Sequence, residues 1–363
     1  MDNIYVFKPN NHSKWQISWN PVSSAVVEEI KKVLLEGYGL FDTVEVCQVD
    51  EWEKMSNNFK IILATENGFK KFLLRKNIVI KSEHNLDMME KLSSFLRQDG
   101  EIPTPRIIKT SNESFFFHYQ GFFYQLFEFI GGDHFRGTKE ELADFAENLA
   151  HVHTALSHFP FAEEMKILKS AILMPWNAAG WKEIFSCCQR KSTEIDLAVV
   201  SAQDLILKAS ACAKIDSSKN TRKQVIKGDQ HPLNTLYENN KLTALLDFAD
   251  AEFGELVKDI GNACHRFVRQ FVVFREGDWQ KTLPLGLEVF FNHYQSINPL
   301  TEEEKLSVPS AILDGLLQKI YTRLYFYYMT TESEKYDDIA EVRKLLGLLK
   351  EACIINEYIA KKI

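Results

Sequence analysis

Excess positive charge is the first thing this sequence lacks. Its 43 Lys and Arg stand against 50 Asp and Glu, giving a net charge of −7, and the pI is near 5.9. No basic stripe is evident, so the electrostatic footprint of a nucleic-acid binder is missing. Long hydrophobic runs are missing too: none approaches the roughly 18–20 apolar residues that span a bilayer, so no membrane partner is expected. The first residues, MDNIYVFKPNNHSKW, have neither a basic n-region nor an apolar h-region, and no secretory signal peptide is expected. Cysteine is sparse: Cys47, Cys187, Cys188, Cys212, Cys264 and Cys353 contain no C-x-x-C pair, and the adjacent Cys187 and Cys188 do not make a metal-ligand spacing. Reduced structural thiols in a cytoplasmic protein are the expectation. There is no internal repeat, and the one low-complexity stretch, SSKNTRK at 217–223, reads as an exposed loop.

What is present is ordinary globular usage in 363 residues, with 45% hydrophobic and 26% charged residues, enough for one large domain or two lobes with a sizeable core. The 26 Phe predict a core or pocket rich in rings. Helical apolar spacing runs over 22–36, with Ser23 or Ser24 as caps. Residues 42–80 turn strand-like, with a turn at 66–68. A helix follows from Lys81 to Gly100, then an extended connection enforced by Pro103 and Pro105. SFFFHY and GFFYQLFEFI predict a hairpin around Gln120 and Gly121. After the glycine pair at 131–132 the periodicity is mostly helical: 138–158, 178–214 with a break, 256–276, 280–295, 302–330 and 335–361. Strands first and helices after predict an α+β arrangement.

Within the helical part, residues 224–250 read QVIKGDQHPLNTLYENNKLTALLDFAD. QVIK is a short buried strand, Gly228 permits the tight turn that presents Asp229, and LTALLDFAD is a second strand carrying Asp247 at its end. Asp229, Asn234 and Asp247 thus follow in order, five and thirteen residues apart. A carboxylate that accepts a hydroxyl proton, with an amide and a second carboxylate that hold Mg²⁺ on phosphates, is what phosphoryl transfer requires.

This segment resembles the catalytic loop and metal strand of the aminoglycoside phosphotransferase and choline kinase-like superfamily. That pattern runs roughly H-G-D-x-H-x-x-N, then a hydrophobic strand ending I-D-F/W-x-D, then a late Asp before a helix. Gly228, Asp229, His231, Asn234, Asp247, Phe248, Asp250 and Asp259 match it, and Lys227 departs from it, standing where the family has a loop-ordering His. The resemblance implies a bilobal protein-kinase-like fold, with an antiparallel N-terminal lobe (residues 1–130), a hinge at about 127–133, and a helical C-terminal lobe (134–363) carrying the catalytic loop 226–237 and metal strand 242–250. It implies ATP and Mg²⁺ as cofactors and a small-molecule hydroxyl as acceptor: a sugar, amino alcohol, hydroxy amino acid or aminoglycoside.

Residue roles follow from the same resemblance. Asp229 is the catalytic base, and Asn234 and Asp247 are metal ligands. His231 braces the loop, Asp259 anchors it from the following helix, and Asp250 either assists the metal through water or fixes the turn. The adenine would meet the Glu128 carbonyl and the Ile130 amide. The loop MSNN lacks the glycine-rich kinase signature, and Ser56, Asn57 and Asn58 are its candidate phosphate donors. F-L-L-R aligns Arg75 with the family's phosphate-binding lysine, and Lys76 falls on the opposite face of a regular strand. The partner carboxylate expected on the next helix falls at Met89, so either Glu90 serves through a small register change or Arg75 has no such partner. Two other readings remain open: a Ser/Thr protein kinase of the same superfamily, against which stand the missing A-P-E segment and the short distance to Asp259, and a nucleotide-binding pseudokinase.

Overall fold

The computed structural model describes residue 7 and residues 17–49, 56–66, 68–78, 82–167, 173–189, 193–213, 221–275, 278–331 and 333–362. In chain order the first elements are β1 (Trp19–Pro21), α1 (Ser24–Tyr38), β2 (Thr43–Val49), β3 (Ser56–Thr65), β4 (Gly68–Asn77), α2 (Glu83–Gln98), β5 (Ile107–Ile108), β6 (Phe117–Tyr119), β7 (Phe122–Glu128) and α3 (Lys139–Leu156). Short helices follow: α4 (Ala162–Met165), α5 (Ala178–Cys188), α6 (Glu194–Ser201) and α7 (Gln203–Cys212). The remainder is β8 (Lys223–Ile226), β9 (Thr235–Glu238), β10 (Lys241–Leu245), β11 (Glu252–Glu255), α8 (Leu256–Phe274), α9 (Trp279–Ile297), α10 (Glu302–Met329), α11 (Ser333–Tyr336) and α12 (Ile339–Lys362). The antiparallel N-terminal sheet and the helical C-terminal part agree with the expectation from sequence.

Contacts divide the chain into two compact units. One comprises residues 10–160 and 232–249, the other residues 1–9, 161–231 and 250–363. In the first, β1-β2-β3-β4-β7-β5 form one sheet, with β6 also paired to β7. Alternation along β3 places Phe59, Ile61 and Leu63 on one face, where they pack with Leu74, Tyr124 and Leu126 against Ile30, Val33 and Leu34 of α1. α1 begins at the Ser23 cap and ends at Gly39, whose left-handed backbone lets its amide close on the Leu34 and Leu35 carbonyls. Gln120 and Gly121, both at positive φ, turn the β6–β7 hairpin.

The β9–β10 hairpin belongs to the same unit because two side chains and a bridge hold it there. Asp144 of α3 accepts from Lys241 Nζ and from the Leu242 amide, both at 2.7 Å. Asp133 and Tyr237 exchange backbone hydrogen bonds of 3.0 and 2.8 Å. Gly132 must be glycine here: its φ is positive, and a Cβ would stand 2.9 Å from the Tyr237 carbonyl oxygen, a conformation and a closeness that only glycine accommodates.

The second unit is built around α8 and α10, whose Ile260, Cys264, Phe267, Ile312, Leu316 and Ile320 are buried. β8 pairs antiparallel with β11. Arg222, just before β8, is fastened to Glu304, its Nε at 2.7 Å and its Nη2 at 2.8 Å from the two carboxylate oxygens. Glu304 also closes the capping box of α10. No helix among the described residues is long and apolar enough to cross a membrane.

Candidate active site

The loop after β8 is fixed from the first turn of α8. Asp259, buried, accepts from the Lys227 and Gly228 amides, both at 3.1 Å, and from Gln230 Nε2 at 3.0 Å. One turn on, Asn262 donates to the Gly228 carbonyl at 3.1 Å. Gly228 has a positive φ, and a Cβ there would run into the Asp250 carbonyl, so no other residue fits without moving backbone. Lys227 is fully buried, and its Nζ donates to the Asp229 carbonyl at 3.3 Å. The lysine at the position of the family's histidine therefore holds the loop from inside.

These contacts leave the Asp229 side chain at the surface of the loop, one-third exposed. Lys319 of α10 brings its Nζ to 3.4 Å from Asp229 Oδ1. Burial raises the pKa of this carboxyl, but the cations of Lys319, Arg266 and Lys227 outweigh it and hold it well below the usual carboxylate range. His231 is pushed down to about 3 by burial and by the Arg266 cation, so its imidazole is neutral at neutral pH. Burial and Arg266 also lower Lys319, with Asp229 and Asp250 opposing.

In the other unit, β4 presents Arg75 and Lys76 to opposite faces. Arg75 Nε donates to Asn58 Oδ1 at 3.1 Å, and Nη1 stands 3.9 Å from Asp247 Oδ1. Lys76 turns to α1, 2.6 Å from Glu29, over the Phe122 and Tyr124 rings. Glu29 also accepts from the Tyr124 hydroxyl, and its carboxyl pKa ends lowered because these partners outweigh burial. Lys76 thus ties the sheet to its helix.

Asp247 lies two residues past β10 rather than at its end. Its φ is positive, a conformation rare outside glycine but tolerated by Asp. The Leu246 amide donates to the Asn234 carbonyl at 2.8 Å, which sets the backbones of the two candidate metal ligands side by side.

Several expectations need redrawing. MSNN is not a loop from Ser56 onward: Ser56, Asn57 and Asn58 are in β3, in register with Asn77, Lys76 and Arg75, because the alternation of Phe59, Ile61 and Leu63 extends the strand backward. Residues 50–55 lie outside the described residues. Glu90 does not pair with Arg75. It is buried in α2 against Arg97 (3.3 Å) and Ser94 (2.7 Å), which face it on the same helix. The carboxylate that meets Arg75 is Asp247. Glu128 is the last residue of β7, its amide bonded to the Arg106 carbonyl at 2.9 Å, and Ile130 follows in the linker to α3. Asp250 acts at backbone level against Gly228, while its charge bears on Lys319. Lys319 and Arg266 carried no sequence signal, since each lies mid-helix and far along the chain from Asp229.

An antiparallel sheet followed by a helical part, with a carboxylate on a rigid loop and a further Asn and Asp downstream, is the arrangement of a kinase-like phosphotransferase. The profile of the phosphotransferase enzyme family matches residues 54–289, well over half the sequence, and the chain belongs to that family. It is accordingly a small-molecule phosphotransferase acting on a hydroxyl group. A search of curated protein sequences finds no match. Among solved structures, the aminoglycoside phosphotransferase of Alicyclobacillus acidocaldarius is 15% identical, covers 95% of this chain and 98% of its own, and superposes with a TM-score of 0.62. Spectinomycin phosphotransferase in complex with ADP and spectinomycin is 13% identical over 91% of this chain and 98% of its own, with a TM-score of 0.63. A microcompartment-associated aminopropanol kinase is 17% identical over 92% and 98%, with a TM-score of 0.53. At these identities the likeness is one of fold.

Proposed function

We propose that the protein transfers a phosphoryl group from ATP, with Mg²⁺, to a hydroxyl of a small molecule, with Asp229 receiving the hydroxyl proton. The observation that carries this is the loop itself: three donors on Asp259 and one from Lys227 are spent to hold a single, ionised, partly exposed carboxylate. Such a carboxylate is a weak base toward a free alcohol. Its role is to orient the hydroxyl and to take the proton late, as the oxygen bonds to phosphorus and its proton becomes acidic.

Asn234 and Asp247 would hold the metal. Both offer hard oxygen donors, and their backbones are neighbours. Two protein ligands leave the remaining positions to phosphate and water, as Mg²⁺ prefers. When bound, the ion would neutralise charge on the nucleotide phosphates. Arg75 would bind the α- and β-phosphates, oriented by Asn58. A role for Ser56 at the phosphates, and adenine contacts at Glu128 and Ile130, are part of the same proposal, as are loop support by His231 and Asp259 and a secondary part for Asp250.

A small acceptor is favoured over a protein substrate because α8 starts at Leu256, nine residues after Asp247, which leaves no room for a long activation segment. A screen of hydroxyl compounds by ATP consumption tests the reading. Asp229→Asn should keep nucleotide affinity and lower kcat by about a thousandfold, within the range of a lost general base. Near-normal turnover in that variant would remove Asp229 from the role, and nucleotide binding without turnover of any acceptor by the unaltered protein would favour a pseudokinase.

A further inference from the structure

α8 presents Asp259, Asn262 and Arg266 at i, i+3 and i+7, which is one face of a helix. The first two hold the Asp229 loop, and Arg266 is the next residue along that face. It is half-buried, yet its guanidinium makes no hydrogen bond or ion pair with any described residue. Other arginines of the chain behave otherwise: half-buried Arg269 pairs with Glu351 and half-buried Arg97 with Glu90, and even the more exposed Arg222 pairs with Glu304. Lys319 reaches the same place from α10 with three N–H donors and one long ion pair, at 3.4 Å, to Asp229.

From this geometry we infer that Arg266 and Lys319 form an oxyanion-binding site beside Asp229. The ligand is a carboxylate or phosphate oxyanion, and it has two sources under the phosphotransferase reading on which its identity rests. It is either an acidic group on the acceptor or the phosphoryl group in transit. In the second case the acceptor oxygen–phosphorus bond forms as the bond from phosphorus to the bridging oxygen of ATP breaks. ADP then leaves with the electron pair, and the acceptor proton passes to Asp229.

Two like charges facing one carboxylate are costly without a further anion. That cost agrees with the lowering of Lys319 by burial and by Arg266. The other charged groups bearing on this cluster are Asp250, which opposes the excess, and Lys344 of α12 and the buried Lys227, which add to it. An acceptor with several amines would meet repulsion at this spot.

Calorimetric titration of the full chain with inorganic phosphate and with glycerate, beside steady-state kinetics on glycerate, aminopropanol and a neutral sugar, tests the inference. Arg266→Gln and Lys319→Gln should each weaken phosphate binding about tenfold or more, the loss expected for one charge-assisted hydrogen bond. Arg266→Lys and Lys319→Arg should recover most of it. If the acceptor supplies the anion, KM for glycerate rises by a similar factor while KM for aminopropanol, the sugar and ATP stays put. If the phosphoryl group supplies it, kcat falls for every acceptor with each KM unchanged. Unaltered phosphate affinity, with kcat and KM within twofold of the parent protein, overturns the site. Phosphate binding that depends on Arg266 and Lys319 in a protein that turns over no acceptor would keep the site and discard the phosphotransferase reading.

Discussion

The Asp229 loop and the Arg75–Asp247 pair are built in opposite ways. In the loop, a buried carboxylate is saturated with protein donors and a fully buried lysine grips the backbone from within. In the pair, the charges meet only at 3.9 Å, and the Asp247 side chain is 41% exposed on a left-handed backbone. A group that orients a hydroxyl needs its position fixed before the substrate arrives. A group that meets phosphate or a metal ion receives charge from the ligand, and a tight ion pair would have to break first. The loop is thus satisfied by the protein, and under the proposed roles the pair would be completed by phosphate and metal.

The largest expected effect would break the loop. Asp259→Ala strands two loop amides and the Gln230 side chain. At about 1–3 kcal/mol for each buried unsatisfied group, the chain should lose about 3 kcal/mol or more in denaturant unfolding, together with most of its turnover. Asp259→Asn should cost less, since one acceptor oxygen remains. A loss below about 1 kcal/mol in the alanine variant would mean that α8 does not hold the loop.

The pair should answer differently. Asp247→Gly relieves the positive φ, so stability should be unchanged or rise by up to about 1 kcal/mol. Nucleotide affinity in the presence of Mg²⁺ should nonetheless fall about tenfold or more, as befits a lost charge-assisted ligand. Equal losses with and without the metal would show that Asp247 does not act through it.

Arg75 and Lys76 sharpen the same contrast within two adjacent residues. Arg75→Ala should raise KM for ATP about tenfold with little change in melting. Lys76→Ala should leave KM alone and cost about 1–2 kcal/mol, because Glu29 loses its partner in a partly buried setting. Reversed phenotypes would mean that the faces of β4 are the other way round.

The order of elements and the Asp229–Asn234–Asp247 spacing were legible in the sequence because each depends on local signals: apolar period, turn glycines, prolines after a helix. Gly228 is a clear example, since its need for a positive φ can be anticipated from the turn alone. The partnerships were not legible. Glu90 looked available to Arg75 until Arg97 and Ser94, on its own helix, claimed it. Lys319 lies ninety residues from Asp229, and nothing in the YTRLYFYYM stretch beside it hints that the preceding turn faces a carboxylate. By resemblance MSNN is the loop of a phosphate-covering hairpin, yet the alternation starting at Phe59 carries the strand back to Ser56.

The smallest effect separates the two units by pH. His265, in α8, is fully buried with Nε2 lacking a partner among the described residues, and burial, aided by Arg266, Arg269 and Lys319, holds its pKa well below the ordinary range. His134, in the other unit, is also lowered by burial, but the Thr235 carbonyl and Asp133 pull it back. A histidine with a depressed folded pKa takes up its proton more readily when unfolded. Its stabilisation is therefore complete above the unfolded value of about 6.5 and is lost as pH falls, by at most about 1.4 kcal/mol per pH unit. Between about pH 7 and 5 most carboxylates stay ionised, so this window reports on the histidines. His265→Leu, close in volume, should flatten the fall in unfolding free energy across the window by about 1–2 kcal/mol, and His134→Leu should flatten it less. Equal slopes in the parent and in His265→Leu would show that His265 takes up its proton equally well in the folded chain, and the charge environment assigned to this face of α8 would have to be redrawn.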